Sequence, residues 1–226
     1  MYEVYDTGDI ADWRRRYEEV GAPGPYHAPR YFEVLQGRFE FEAERAECFV
    51  YGDGDETVYY PYLRRPLDTV AFDAETAAGG DYEDVVSSWY YGGPVAATDD
   101  PDPSVAREFA EAFRAFCREE GIVAEFVRFD PNLGNHRDFP VLDPVFERET
   151  VPVDLTASQD TIWDGFEKRN RNAIRQAQDS DLEAEVTESD TDYEAFHDIY
   201  VDAMEAKEAS DHYRFDGSFF TALRDT

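Results

Sequence analysis

A short basic segment stands out in an otherwise acidic chain. It reads Lys168-Arg169-Asn170-Arg171-Asn172-Ala173-Ile174-Arg175 and holds four of the chain's 21 lysine and arginine residues. On a helix, Lys168, Arg171 and Arg175 fall at positions i, i+3 and i+7 and therefore share one ridge. Guanidinium groups bind phosphate and carboxylate groups through paired hydrogen bonds. One interpretation is therefore a site for a small phosphorylated or carboxylate-bearing ligand, with Lys168, Arg169, Arg171 and Arg175 as the candidate residues. The alternative is a solvated basic face that offsets nearby acids and suits the dipole at a helix C-terminus.

A second segment combines paired glycines with adjacent aromatic residues. It reads Ser87-Ser88-Trp89-Tyr90-Tyr91-Gly92-Gly93-Pro94. Glycine lets a backbone turn sharply or approach a ligand closely, and tryptophan and tyrosine can line a stacking pocket. This combination is typical of a segment that lines an apolar or stacking pocket. The alternative is a strand that ends in a turn, with its aromatic side chains packed in the core.

The histidines and cysteines show no spacing that predicts a metal site or a nucleophile. The four histidines lack zinc-binding spacing, and we expect them at the surface or in hydrogen bonds; they are His27, His136, His197 and His212. Cys48 and Cys117 form no metal or disulfide framework and are expected in buried apolar positions. The glycine patterns of serine hydrolases, P-loops and dinucleotide sites are also missing. From these spacings and patterns together, the sequence predicts no metal and identifies no catalytic residue.

The first 150 residues alternate helix and strand signals in an order that predicts a mixed α/β fold. The expected helices cover residues 11–20, 28–37 and 104–120, and the expected strands lie at 46–51, 57–63, 82–97, 122–129 and 147–155. The run Gly52-Asp53-Gly54-Asp55 between two β-like segments is a strong hairpin signal. Hairpin strands with a helix packed on one face favour a largely antiparallel sheet with flanking helices over a doubly wound parallel sheet.

The composition changes after Leu155. The periodicity predicts one long amphipathic helix over residues 158–179, with the basic ridge opposite Ile162, Phe166 and Ala173. A short strand at Leu182–Val186 and helices over 193–207 and 217–224 are expected to follow.

A weak internal repeat relates the two halves of the chain. Residues 30–35 resemble residues 218–223, with two aromatic residues and a leucine at a constant offset. The repeat indicates two tandem copies of one domain. We expect a complete first domain over residues 1–150 and only the N-terminal part of a second copy over residues 151–226.

Charge excludes several classes of partner. The chain has 52 Asp and Glu residues and a net charge of −31, which opposes general binding to nucleic acids or anionic membranes. Lys168 and Lys207 are its two lysines. Such a composition indicates a halophilic protein working in molar salt, where the Debye length is about 3 Å; a GC-rich genome is the alternative explanation. The chain shows neither a signal peptide nor an apolar run of about 18 residues, so a cytoplasmic location without a membrane span is expected.

Four segments, in order along the chain, resemble the FemAB-like branch of the GNAT acyltransferase superfamily. That branch includes BioF2-like acetyltransferases and the aminoacyltransferases that build peptidoglycan interpeptide bridges. Tyr26–Phe32 resembles the family's opening helix, and Val58–Arg65 resembles its φ-Y-P-φ-φ-R strand. Trp89–Pro94 resembles the Y-G-Y-G-G-P turn, and Lys168–Ala177 resembles the K-x-R-x-x-I-R-K-A helix.

The resemblance implies two tandem GNAT-like domains that transfer an acyl or aminoacyl group to an amine. It implies that the four basic residues hold a phosphorylated donor or acceptor and that Tyr90, Tyr91, Gly92 and Gly93 are walls of the interdomain cleft. Acyl-CoA is the favoured donor over aminoacyl-tRNA, and no covalently bound cofactor is implied.

One departure from the family leaves an alternative open. The [Q/R]-x-x-G-x-[G/A] turn, whose backbone N–H groups hold the CoA pyrophosphate in GNAT domains, is missing from this sequence. The alternative is a truncated or degenerate relative that acts as a non-catalytic binding or assembly module. Such a module would self-associate through apolar residues left exposed by an incomplete second domain; these are Phe219, Phe220 and Leu223.

Overall fold

One strand and two short helices precede the central hairpin of the molecule. The computed structural model describes residues 1–36, 44–67, 82–180, 183, 186, 187, 189–210 and 213–225. In chain order the elements are β1 (Tyr2–Asp6), α1 (Ile10–Glu19), α2 (Pro29–Leu35), β2 (Arg45–Tyr51), β3 (Val58–Pro66), β4 (Glu83–Val86), β5 (Val95–Ala96), α3 (Pro103–Glu120), β6 (Ile122–Phe126), α4 (Gln159–Gly165), α5 (Lys168–Gln178), α6 (Asp190–Ala206) and α7 (Gly217–Arg224). Gly37, the predicted end of the second helix, and most of the predicted strand Leu182–Val186 lie outside the described residues.

The described strands form one mixed, largely antiparallel sheet, which confirms the predicted fold class. The order of its strands is β1-β2-β3-β4-β6, and β5 pairs with the N-terminal end of β3. β4 and β6 pair in parallel, with an irregularity between Glu83 and Asp84, and the other pairs are antiparallel. The sequence analysis missed β1, because this five-residue edge strand is only partly buried and lacks a clear apolar alternation.

The predicted hairpin is the centre of the sheet. β2 and β3 pair from Arg45 opposite Arg64 to Tyr51 opposite Val58. The turn between them needs glycine at position 52, where φ is +76° and a Cβ atom would lie 2.5 Å from the Glu56 carbonyl oxygen. The turn chemistry therefore fixes the register of the two strands.

Alternate residues of this hairpin face two different cores. On one face of the sheet lie Phe49, Val58, Tyr60 and Tyr62, packed against Phe109, Phe113 and Phe116 of α3. On the other face lie Ala46, Cys48, Val50, Tyr59 and Leu63, packed against Trp13 of α1 and Phe32 and Leu35 of α2. The strands are covered by helices on both sides, as the two-residue period of a strand allows.

Helix α3 follows the prediction closely. Its apolar stripe is buried on the sheet at Val105, Phe109, Phe113 and Phe116. The Asp102 carboxylate accepts a hydrogen bond from the Ser104 N–H at the start of the helix. Gly121 ends the helix in a left-handed conformation with φ 74°.

Three strand predictions were wrong or incomplete. The predicted strand at 82–97 is two short strands, β4 and β5, separated by residues 87–94, which form no regular strand. The predicted buried strand at 122–129 is the shorter β6, and all of its residues after Ile122 are exposed. Residues 147–155 form neither a helix nor a strand and are all exposed. Strand backbone needs a partner for its N–H and C=O groups, and the described residues provide none for this segment.

The predicted helix over 158–179 is two helices. Ser158 caps α4 by accepting a hydrogen bond from the Thr161 N–H. Phe166 and Glu167 then adopt extended backbone, with ψ 144° and 151°, before α5 begins at Lys168. Gly165 ends α4, and glycine is among the weakest helix formers. The apolar stripe drawn through Ile162, Phe166 and Ala173 is therefore not continuous.

The C-terminal helices pack against the first part of the chain. α7 lies against α2, and Phe219 is buried in the same core as Trp13 and Phe32. Phe220 and Leu223 are partly buried beside it. The expectation that these three residues form an exposed apolar surface was therefore wrong, because α7 lies against α2 and Phe220 also packs on Phe196 and Tyr200 of α6. Among the described residues, no helix combines the length and apolarity needed to cross a membrane.

Candidate functional site

The aromatic and glycine residues lie in a loop between β4 and β5, here called the Tyr90 loop (Ser87–Pro94). At its start, the Ser87 N–H donates to the Phe126 carbonyl oxygen at 3.1 Å. Further along, the Gly92 N–H donates to the Arg128 carbonyl oxygen at 2.8 Å, and Gly92 forms an isolated parallel bridge with Phe129. The loop therefore stays against the chain that continues from β6, although regular pairing has ended.

Close packing explains the two glycines of this loop. A Cβ atom at Gly92 would lie 2.8 Å from the Ser87 Cβ. At Gly93, φ is +90° and a Cβ atom would lie 3.0 Å from the Phe129 ring. Both glycines are buried, whereas Tyr90 is 55% exposed and Tyr91 is partly buried. Of the four predicted cleft-lining residues, the two tyrosines are the ones available to a ligand.

Side chains hold nearly the whole backbone of the loop. The Asn135 amide nitrogen donates to the carbonyl oxygens of Gly92 and Pro94, each at 3.0 Å. The Arg128 guanidinium donates to the carbonyl oxygens of Trp89 and Tyr90, at 2.9 and 3.3 Å. The Ser88 hydroxyl donates to the Tyr91 carbonyl oxygen. These three side chains therefore satisfy the carbonyl groups of Trp89, Tyr90, Tyr91, Gly92 and Pro94.

His27 is a further side chain that bonds to the backbone of the Tyr90 loop. It lies in the 3₁₀ turn before α2. It is fully buried, and its Nε2 lies 3.2 Å from the Gly93 carbonyl oxygen. A carbonyl oxygen only accepts, so Nε2 carries the proton and donates. Burial lowers the pKa of His27, because desolvation disfavours the charged imidazolium. His27 is thus a hydrogen-bonding histidine, as expected, whereas His212 lies outside the described residues.

Aromatic rings surround the loop on two sides. The Tyr26 ring centre lies 5.8 Å from that of Tyr90 and 5.5 Å from that of Tyr91. The Trp89 ring packs against Phe215, just before α7, with ring centres 4.9 Å apart. Burial raises the pKa of Tyr26, so its phenol stays protonated at neutral pH. These residues offer ring faces and neutral hydroxyl groups rather than a nucleophile.

All four predicted basic residues lie on α5, but their contacts differ. Arg171 donates to the carbonyl oxygens of Trp163 (3.4 Å), Asp164 (3.1 Å) and Phe166, and so satisfies the C-terminal end of α4. The Arg175 guanidinium lies 5.1 Å from the centre of the Trp163 ring. These two arginines therefore stabilise the junction between α4 and α5.

Lys168 and Arg169 are exposed in the first turn of α5. Neither makes a hydrogen bond or an ion pair with the residues that the structure describes. Glu167 precedes them without capping the helix through its side chain. The positive end of a helix dipole is an unfavourable place for two cations and a favourable place for an anion. The C-terminal dipole in the alternative explanation therefore does not apply to these two residues, whereas their exposure agrees with its solvated basic face.

The Tyr90 loop and the basic residues of α5 are held in place by different residues. The Tyr90 loop is held by His27, Arg128 and Asn135, and the basic residues are anchored on α4. Sequence reasoning gave no role to Arg128 or Asn135. No local signal could have shown it, because Asn135 is 41 residues from the nearest carbonyl that it bonds.

A groove between α6 and α7 is a further concave surface that the sequence did not indicate. Its open volume is about 650 Å³, and its lining includes Asp190, Tyr193, His197, Asp198, Thr221 and Arg224. Arg224 stacks over the Tyr193 ring at 5.2 Å and pairs with Asp190. The groove is therefore acidic, and its cation already has protein partners.

Comparison of the chain with family models, with curated proteins and with solved structures finds no match. Among the described residues, no three or more His, Cys, Asp or Glu side chains are grouped to hold a metal ion. Among the residues singled out from the sequence, the tyrosines of the Tyr90 loop and the exposed Lys168 and Arg169 in the first turn of α5 are available to a ligand.

Proposed function

We propose that the protein is a FemAB-like N-acyltransferase of the GNAT superfamily. The observation that carries the proposal is the order of the elements. A strand and two helices lead into an antiparallel meander, and the chain then passes through β5 and α3 to β6, which pairs in parallel with β4. The family resemblance implies a fold of this kind, a mixed, largely antiparallel sheet with flanking helices. The four segments that resemble the family lie on α2, β3, the Tyr90 loop and α5.

The proposed reaction joins an acyl group to an amine. The amine nitrogen attacks the thioester carbonyl of acyl-CoA, the new C–N bond forms, and the C–S bond breaks. The proton lost by the amine ends on the thiolate of CoA. No residue of this chain is assigned as a general base, and the proposed contribution of the protein is to position the two reactants.

The proposed ligand contacts are made by side chains of the two candidate segments that solvent can reach. Lys168 and Arg169 hold a phosphate group of the donor or the acceptor at the positive end of α5. Tyr90 and Tyr91 form one wall of the cleft. Arg171 and Arg175 support this arrangement by fixing α5 on α4.

An acyl-transfer assay tests this proposal. The protein is incubated in molar potassium chloride with radiolabelled acetyl-CoA and a panel of primary amines, and labelled amide and free CoA thiol are measured together. Equal appearance of amide and thiol above a protein-free blank is expected. Thiol without amide, or neither product, would contradict the proposal.

A second candidate is a non-catalytic binding or assembly module. Large apolar side chains are exposed in residues 145–155, including Val145 (87%), Phe146 (77%), Val151 (91%) and Leu155 (83%). Exposed apolar groups of this kind mark surfaces that associate with a partner. This candidate predicts self-association that F146A with L155A abolishes, which light scattering would detect. A monomer across the accessible concentration range would contradict it.

A further inference from the structure

We infer that His27 is a positioning residue, which sets the conformation of the Tyr90 loop and thereby the placement of Tyr90 and Tyr91. The importance of those tyrosines rests on the proposed function. The inference about His27 stands on the geometry of the loop itself. Gly93 is the centre of that geometry, since its carbonyl oxygen accepts from His27.

The core fixes His27 from the side away from the loop. Its carbonyl oxygen accepts from the Tyr59 hydroxyl at 2.8 Å, and the Tyr59 oxygen accepts from the Trp13 indole N–H at 2.7 Å. All three residues are fully buried. A chain of hydrogen bonds therefore runs from α1 through β3 and His27 to the Gly93 carbonyl, with no step through solvent.

Gly93 is closely packed in the observed conformation of the loop. It lies against the side chains of Val127, Phe129 and Asn135, so closely that an added Cβ atom would lie 3.0–3.2 Å from them. Without the His27 donor, the Gly93 carbonyl would be buried and unpaired, which is costly. The loop would then shift to reach water and would carry Tyr91 and Tyr90 with it.

His27 itself cannot be a ligand contact, because it is completely buried. Its Nδ1 has no hydrogen-bond partner among the described residues. The neighbouring Tyr26 is partly exposed and packs on both Tyr90 and Tyr91. Tyr26 is therefore in direct ring contact with the loop tyrosines, whereas the His27 imidazole acts on them through the Gly93 carbonyl.

Hydrogen exchange on two variants tests this role in the absence of any ligand. H27Q keeps an N–H donor of similar reach, whereas H27L keeps the size and removes the donor. We expect amide exchange over residues 90–93 to rise about tenfold or more in H27L. The amides of β2 and β3 should change less than about twofold, and H27Q should remain close to wild type.

Equal acceleration in the loop and the hairpin of H27L, or equal loss in H27Q and H27L, would overturn the inference, because His27 would then support the core in general. No acceleration in either variant would also overturn it. If H27L does not fold, H27N, with a shorter amide, is expected to show the same loop-specific acceleration. Acetyl transfer is assayed separately. Its absence from wild type alongside His27-dependent loop protection would reject the proposed function and leave the positioning role intact.

Discussion

Residues 1–142 and residues 143–180 contain similar apolar side chains and use them in opposite ways. In the first region, Phe49 is completely buried and its ring contacts those of Tyr2, Phe113 and Phe116. In the second, Phe146 is 77% exposed, and none of residues 143–180 is buried. The difference teaches that an apolar pattern becomes a buried core only where another element supplies the opposing face. The first region has such faces on both sides of its sheet.

The largest expected effect comes from this contrast in burial. F49A should lower the free energy of unfolding by about 3–5 kcal/mol, because it removes a fully packed ring from the core. F146A should change it by less than about 0.5 kcal/mol. Denaturant titration in molar potassium chloride gives both values. Similar losses for the two variants would show that residue 146 is packed in solution.

Alanine substitutions at two glycines, one in each region, test the same comparison. G93A should destabilise the protein by about 1–3 kcal/mol, since the backbone conformation is unfavourable for alanine and the new Cβ meets the Phe129 ring. Gly165 has no atom within 4 Å of an added Cβ and lies in α4. G165A is expected to be neutral or to stabilise by up to about 1 kcal/mol. Thermal unfolding of the two variants should therefore shift in different directions or differ clearly in size.

The buried imidazole of the first region predicts a pH dependence. Burial lowers the pKa of His27 in the folded state, whereas the unfolded chain titrates near about 6.5. Below that pH the unfolded state binds a proton that the folded state does not, so acidification reduces stability. The stability difference between wild type and H27Q should change by up to about 1.4 kcal/mol per pH unit.

Taking the difference in stability between wild type and H27Q cancels the contributions of the other titrating groups. Burial raises the pKa of Glu44 to about 7, which gives the opposite slope, but equally in wild type and H27Q. Urea unfolding between pH 5 and 8 provides the curves. Parallel curves for the two proteins would show that His27 does not titrate as a buried neutral group.

The smallest effects are expected within the second region. R171A removes the donor that satisfies the last carbonyls of α4 and should cost about 0.5–1.5 kcal/mol of local stability. K168A removes a cation from the positive end of α5 and should stabilise that helix by about 0.3–1 kcal/mol. Hydrogen exchange over residues 159–178 measures both. Equal destabilisation by the two substitutions would contradict the different roles given to these residues.

Local signals explain what the sequence could predict. The β2–β3 hairpin follows from its turn residues, and α3 follows from phenylalanines at helical spacing. The break between α4 and α5 was missed, because one glycine in a helical pattern costs only about 1 kcal/mol and leaves the periodicity in place. The strand predicted at 147–155 has the right alternation, but a strand needs a pairing partner that the alternation does not reveal.

The candidate site was predictable only in part for the same reason. Composition and spacing singled out Tyr90 and Lys168. They could not show that Gly92 and Gly93 are buried, or that Arg171 satisfies α4, because both facts depend on neighbours that only the folded chain supplies. His27 and Asn135 reach the Tyr90 loop from distant parts of the chain.

Calorimetric titration with coenzyme A tests the central claim most directly. Wild type is compared in molar potassium chloride with K168A/R169A and with the control R107A/R118A, which removes two exposed arginines from α3 and changes the net charge equally. We predict that K168A/R169A weakens the binding of coenzyme A by about tenfold or more. The control should bind like wild type. Equal affinities for all three proteins, or no binding by wild type, would contradict the claim that the first turn of α5 holds a phosphorylated ligand.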